Sequence, residues 1–162
     1  MFLRVVTGIH RHFDDRVVEW AMAGIGMYWG WTIAQPGQAW TNAAAWAGMV
    51  RMADWLGIPA EAAEDSWGII SMLSGGFWLI ALTVNGTFAD TIYSRISPYV
   101  RCAAALGACF VWGQVWMSVS AVQTSGSGIY PLPFVLSIWC VRTTLGTLGD
   151  ERRKSRAHDR RT

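Results

Sequence analysis

Residues 67–89, WGIISMLSGGFWLIALTVNGTFA, contain no charged side chain. As a helix rising 1.5 Å per residue they reach roughly 34 Å, enough to cross a hydrocarbon core of about 30 Å. Glu61, Glu64 and Asp65 stand before the stretch, and Asp90 and Arg95 follow it. Three further runs share its character: residues 17–34, 99–122 and 129–149. The pattern predicts an all-α polytopic membrane protein with four transmembrane helices.

Composition agrees. Charged residues make up 15% of the chain, against about 25% in ordinary globular domains, and the mean hydropathy is +0.26. The charges gather between the apolar runs. Eleven Trp are present, a residue suited to the membrane interface, where one edge of its ring stays wet. The three Cys, at 102, 109 and 140, form no CxxC pair and read as small apolar fillers. The first apolar run opens on Asp14, Asp15 and Glu19 and lacks a small-residue cleavage site, so it reads as a retained span.

Outside the four spans, three segments have their own character. Residues 1–16 place Phe2, Val5, Val6, Ile9 and Phe13 at helical spacing, which fits an amphipathic cytoplasmic segment in the headgroup layer. Residues 41–57 repeat apolar positions at Trp46, Met49, Val50, Ala53 and Leu56 but are too short to cross. They predict an interfacial helix on the outer side, capped by Thr41 or Asn42 and followed by a new helix starting at Pro59. That next helix is expected to end by Pro98. Residues 150–162, DERRKSRAHDRRT, form a basic and mobile cytoplasmic tail.

Basic residues set the orientation. Four crossings place eleven of the thirteen Lys and Arg on one side, with Arg51 opposite and Arg142 inside the last span. The positive-inside rule then puts both termini in the cytoplasm. In the tail, Arg152, Arg153, Lys154, Arg156, Arg160 and Arg161 suit anionic lipid headgroups better than nucleic acid, because they adjoin a membrane span.

Two sets of residues stand out within the spans. Gly26 and Gly30 form a GxxxG in the first span, and Ala103 with Gly107 offers a similar small-residue pair in the third. Small residues four apart let helices approach closely where no hydrophobic drive exists, so these four are candidate packing positions. The second set is polar: Glu19, Asn85, Gln114 and Arg142. Glu19 and Arg142 fall at similar depth, which points to an ion pair between the first and fourth spans. Asn85 and Gln114 fit hydrogen bonds between helices.

Enzyme signatures are missing. None of the three His falls within a span, which removes the usual haem ligand, and the sequence has no HExxH, GxSxG or P-loop. No catalytic residue, metal site or cofactor is expected.

The opening FDDRVVEWAMAGIGMYWGW, the span WGIISMLSGGFWLIALTVNG, the following SPYVR and the short basic tail together resemble small polytopic membrane proteins encoded by tailed phages and prophages, a holin-like group. The resemblance implies homo-oligomers in the bacterial inner membrane that permeabilise it. A long outer segment and four crossings depart from the shorter holins. The alternative from another class is a membrane scaffold or accessory subunit that engages a membrane or virion protein; a small ion or solute carrier is the third.

Overall fold

In the computed structural model the uncharged stretch forms most of one long helix, and the other apolar runs pack against it. The structure describes residues 13, 16–35, 44–87, 92–122 and 125–159. Among them there is no strand. We number the helices α1 (Val17–Ile33), α2 (Ala47–Trp55), α3 (Ala60–Thr87), α4 (Ile92–Ser120) and α5 (Pro131–Asp159), with short 3-10 turns at Ala44–Trp46 and Ser125–Gly128.

Contacts between residues fix the direction of each helix. Gly26 faces Ser71 and Gly30 faces Gly68, so α1 and α3 run antiparallel. The Ser74 and Ser97 hydroxyls donate to the carbonyls of Ala104 and Ala81, at 3.2 and 2.7 Å, which makes α3 and α4 antiparallel as well. Phe134 of α5 lies against Gly113 and Trp116 of α4. The result is an up-down-up-down bundle of α1, α3, α4 and α5. Its core joins Met22, Trp67, Trp78, Ala105, Val111, Val115 and Cys140.

Large apolar side chains also cover the outer faces of the long helices. Ile69, Leu73, Phe77 and Ile80 on α3 are exposed, as are Leu106 and Phe110 on α4 and Leu132, Val135 and Ile138 on α5. A helix that is apolar all round belongs in lipid or in a large core, and a bundle this small has no such core. Among the described residues three helices are long and apolar enough to cross a membrane: residues Ala60–Val84, Ile96–Ser120 and Pro131–Asp150. Helix α1, at 17 residues, is shorter than these.

One end of the bundle is closed by aromatic rings. Trp29, Trp46, Trp112 and Tyr130 meet pairwise with centroids 5.2 to 6.4 Å apart. Helix α2 packs at this end against α3 and α4. The Trp67 indole donates to the Met49 carbonyl at 3.1 Å, and Met49 and Ala53 are buried. The helix ends in a Schellman turn: Ile58 N–H donates to Ala53 O at 2.8 Å and Gly57 N–H to Asp54 O at 2.9 Å, with Gly57 at φ 78°. Replacing Trp67 by Phe removes one buried hydrogen bond while keeping most of the ring. We expect a loss of about 1 kcal/mol and faster proteolysis after Arg51, read by thermal unfolding in detergent and by trypsin digestion.

Several boundaries differ from the sequence reading. The expected caps Thr41 and Asn42 lie outside the described residues, as does nearly all of segment 1–16. Pro59 stands immediately before α3. Helix α3 ends at Thr87, and Pro98 lies inside α4, not at a helix end. Six residues precede Pro98 in α4, so its ring interrupts only the second turn, and the missing N–H forfeits a single bond. Pro131 and Pro133 fall in the first turn of α5, where N–H groups have no helical partner. The last helix also runs past the apolar stretch: α5 continues through Asp159, into the basic tail. Its residues are good helix formers, Glu151 and Lys154 are spaced for pairing, and the span has already nucleated the helix.

Candidate functional site

A charge buried away from water needs a partner, because its desolvation is otherwise uncompensated. Glu19, in the first turn of α1, is 4% exposed. Arg101 of α4 is 1% exposed and meets it in a bidentate pair. Its Nε donates to Oε2 at 2.9 Å, and its Nη2 donates to Oε1. Trp78 of α3, fully buried, completes the set by donating its indole N–H to Oε2 at 3.2 Å. Cys140 of α5, also fully buried, lies in electrostatic reach of both charges. Helices α1, α3 and α4 thus meet in one charge-paired, hydrogen-bonded centre, with α5 beside it.

The partner of Glu19 is therefore Arg101, and the expected pair with Arg142 does not form. Arg142 is exposed, its Cζ 5.9 Å from the centroid of the Trp139 ring on the outer face of α5. Position explains the choice. Arg101 shares a face with Ala104, Ala105, Ala108, Val111 and Trp112, all buried, whereas Arg142 shares one with the exposed Ile138 and Leu145. That three-and-four spacing of small residues after Arg101 was the available signal. It was masked by grouping Arg101 with the cytoplasmic arginines.

Geometry leaves this centre little room for chemistry. A void of about 10 Å³ lies beside Trp78, bounded by Gly26, Ser71, Ser74 and Val111, about the space of one water. Both hydroxyls there are already committed to backbone carbonyls, Ser71 to Gly26 and Ser74 to Ala104. One guanidinium nitrogen, Nη1, is buried without a hydrogen-bond partner among the described residues. Among those residues no three His, Cys, Asp or Glu gather in a metal-binding group.

The small-residue positions divide. Gly26 and Gly30 are buried against α3, so the GxxxG face is used within one chain. Gly107 is half-buried, and a Cβ there would lie 3.1 Å from the Ser74 hydroxyl. Ala103 is exposed within the single chain, and its neighbours Ala104, Ala105 and Ala108 face inward. Gln114 is half-buried and lines a groove with Arg51, away from the ion pair. The side chain of Asn85 lies outside the described ones. In the tail, Arg153 is exposed. The side chains of Arg152, Lys154 and Arg156, and all of Arg160 and Arg161, lie outside the described part.

Comparison with protein-family models, with curated proteins and with solved structures returns no match.

Proposed function

We propose that this protein is a non-enzymatic, multi-pass protein of the bacterial inner membrane that serves as a scaffold or accessory subunit for a membrane or virion partner. The chain crosses four times, with both termini cytoplasmic and α2 over the outer mouth. Helix α1 lies antiparallel to α3, and its 17 residues are within the range that can span. The basic tail extends α5 from the end where α1 begins, as the positive-inside rule requires. The observation that carries the scaffold reading is the interior. Among the described residues the central Glu19 and Arg101 are paired, and the void beside them is about 10 Å³, room for nothing larger than a water.

Two measurements test this. Cysteines placed at Asp54 and Ser155, in a chain whose native cysteines are replaced, are labelled from intact cells by an impermeant maleimide. Asp54→Cys reacts at once, and Ser155→Cys reacts only after permeabilisation. Labelling of both from one side overturns the topology. In dye-filled liposomes the purified protein releases no dye, and release would overturn the closed-bundle reading.

A second reading, holin-like self-association into a lesion, draws on one observation. Helix α5 is the least covered of the long helices and presents Leu132, Val135, Ile138 and Leu145 outward in one stripe. The contacts between copies would then use this stripe, because the Gly26–Gly30 face is already occupied. Growth arrest after a delay on expression, abolished by Ile138→Arg, is the signature of that reading.

A further inference from the structure

Beside the aromatic end of the bundle lies an open groove of about 490 Å³ between α2 and the last turns of α4. Gly48, Arg51, Met52 and Trp55 form one wall, and Gln114 and Met117 belong to the other. Its volume is in the range of small-molecule sites, and its walls are mostly apolar. Trp55 and Met117 are 80% and 56% exposed, so the groove opens outward and away from the core.

Arg51 is exposed in this groove, and no carboxylate among the described residues lies within ion-pair distance of it. The two elements meet closely beneath: a Cβ on Gly48 would collide with the Ser118 side chain, so the floor is fixed by backbone packing. Largely apolar walls thus run to a single cation, with the Gln114 amide as a neutral hydrogen-bonding group beside them.

We propose that this groove holds one anionic membrane phospholipid, its phosphate on Arg51 and an acyl chain along Met52, Trp55 and Met117. Charge complementarity selects the headgroup, since the guanidinium forms bidentate hydrogen bonds with phosphate oxygens. Depth selects the chain. In the four-crossing arrangement the last turns of α4 and all of α2 lie where the outer leaflet passes from headgroup to acyl region. The Trp55 ring is amphipathic and suits that layer. Basic pockets between membrane helices bind anionic headgroups on the cytoplasmic side; here a single arginine would hold the phosphate on the outer side. The lipid would complete the packing of α2 on α4 and fix the outer face of the protein.

The site rests on the membrane topology proposed above, and the experiment separates the two. The full chain is reconstituted in nanodiscs of phosphatidylcholine with one-fifth phosphatidylglycerol, extracted in mild detergent, and weighed by native mass spectrometry. Wild type retains one phosphatidylglycerol per chain. Arg51→Ala lowers that occupancy at least fivefold, Arg51→Lys retains about half, and Ala121→Phe, which fills the groove from its exposed rim, also lowers it. Arg142→Ala, a lipid-facing arginine elsewhere, leaves it unchanged. Equal retention by Arg51→Ala and wild type overturns the site, as does equal loss in Arg142→Ala. Because Arg51 and Ala121 are exposed, a circular-dichroism melt unchanged from wild type confirms that the variants fold. Quenching of Trp55 by phosphatidylglycerol with brominated acyl chains, read as the difference between wild type and Trp55→Phe, gives a second measure; no difference overturns the placement of the chain. If maleimide labelling puts Asp54 on the cytoplasmic side while Arg51→Ala still loses lipid, the topology fails and the groove stands.

Discussion

Replacing Arg101 by Met lowers the stability of the bundle by about 3–5 kcal/mol, because it leaves the Glu19 carboxylate buried without its cation. Glu19→Met is expected to cost a similar amount by stranding the guanidinium. The double variant, Glu19→Met with Arg101→Met, recovers most of the loss, since two apolar side chains of fitting volume need no compensation in the core. This non-additivity is the diagnostic feature. It follows from the bidentate geometry and from exposures of 1% and 4%, where water cannot substitute for the missing partner. Trp78→Phe takes away only the third donor and is expected to cost about 1.5–3 kcal/mol, the range for a bond to a charged group. Unfolding in mixed detergent, followed by circular dichroism, measures all four variants. Arg142→Met serves as the control: its guanidinium is exposed beside Trp139, so its loss is expected to shift the midpoint little. Should Arg101→Met behave like Arg142→Met, or should the double variant be as unstable as the sum of its parts, the buried pair is not what ties α1 to α4.

The same pair shows where sequence reasoning reached and where it stopped. That Glu19 is held by an arginine from another span was legible, because a lone carboxylate in an apolar run must have a counter-charge. Which arginine was not. Depth along the membrane leaves Arg101 and Arg142 both available, and the choice depends on which helix face turns inward. On spans apolar all round, hydropathy says little about that, since Ile138 and Val111 are equally at home in lipid and in the core. Side-chain size is the better guide here. Alanines at 104, 105 and 108 line the inner face after Arg101, while Ala103 points outward despite belonging to the same small-residue run. Helix existence was easier to see than helix ends. Residues 67–89 lie largely within α3, but α4 begins before Pro98 and α5 outlasts the apolar run. At both places the chain continues a helix already begun, and continuation is cheaper than local propensity alone would indicate.

Glycine substitutions at the α1–α3 seam are expected to separate by position, and this tests whether the GxxxG face works within one chain. A Cβ at Gly30 would lie 2.5 Å from the Gly68 carbonyl oxygen and 2.8 Å from the Met72 backbone nitrogen; one at Gly75 would lie 2.6 Å from the Ala23 carbonyl. Backbone atoms cannot swing aside, so Gly30→Ala and Gly75→Ala force the two helices apart. Each is expected to cost about 1–3 kcal/mol, the usual range for overpacking. Gly26 is different, because its Cβ would meet Ser71 at 3.8 Å, an ordinary contact, so Gly26→Ala is expected to keep its helix-propensity gain of about 0.5–1 kcal/mol. Gly76 has nothing within 4 Å, so Gly76→Ala stabilises by about 0.5–1 kcal/mol through helix propensity alone. Gly26→Leu returns to the destabilising class, since the longer side chain enters the space held by Ser71 and Gly75. Thermal midpoints in detergent give the ordering, and cross-linking in native membranes gives the assembly state. The seam within one chain requires that Gly30→Ala lower the midpoint at any protein concentration while the cross-linked pattern stays as in wild type. A variant that kept its midpoint but lost its cross-linked species would place the Gly30 face between copies, and the antiparallel packing of α1 on α3 would have to be abandoned.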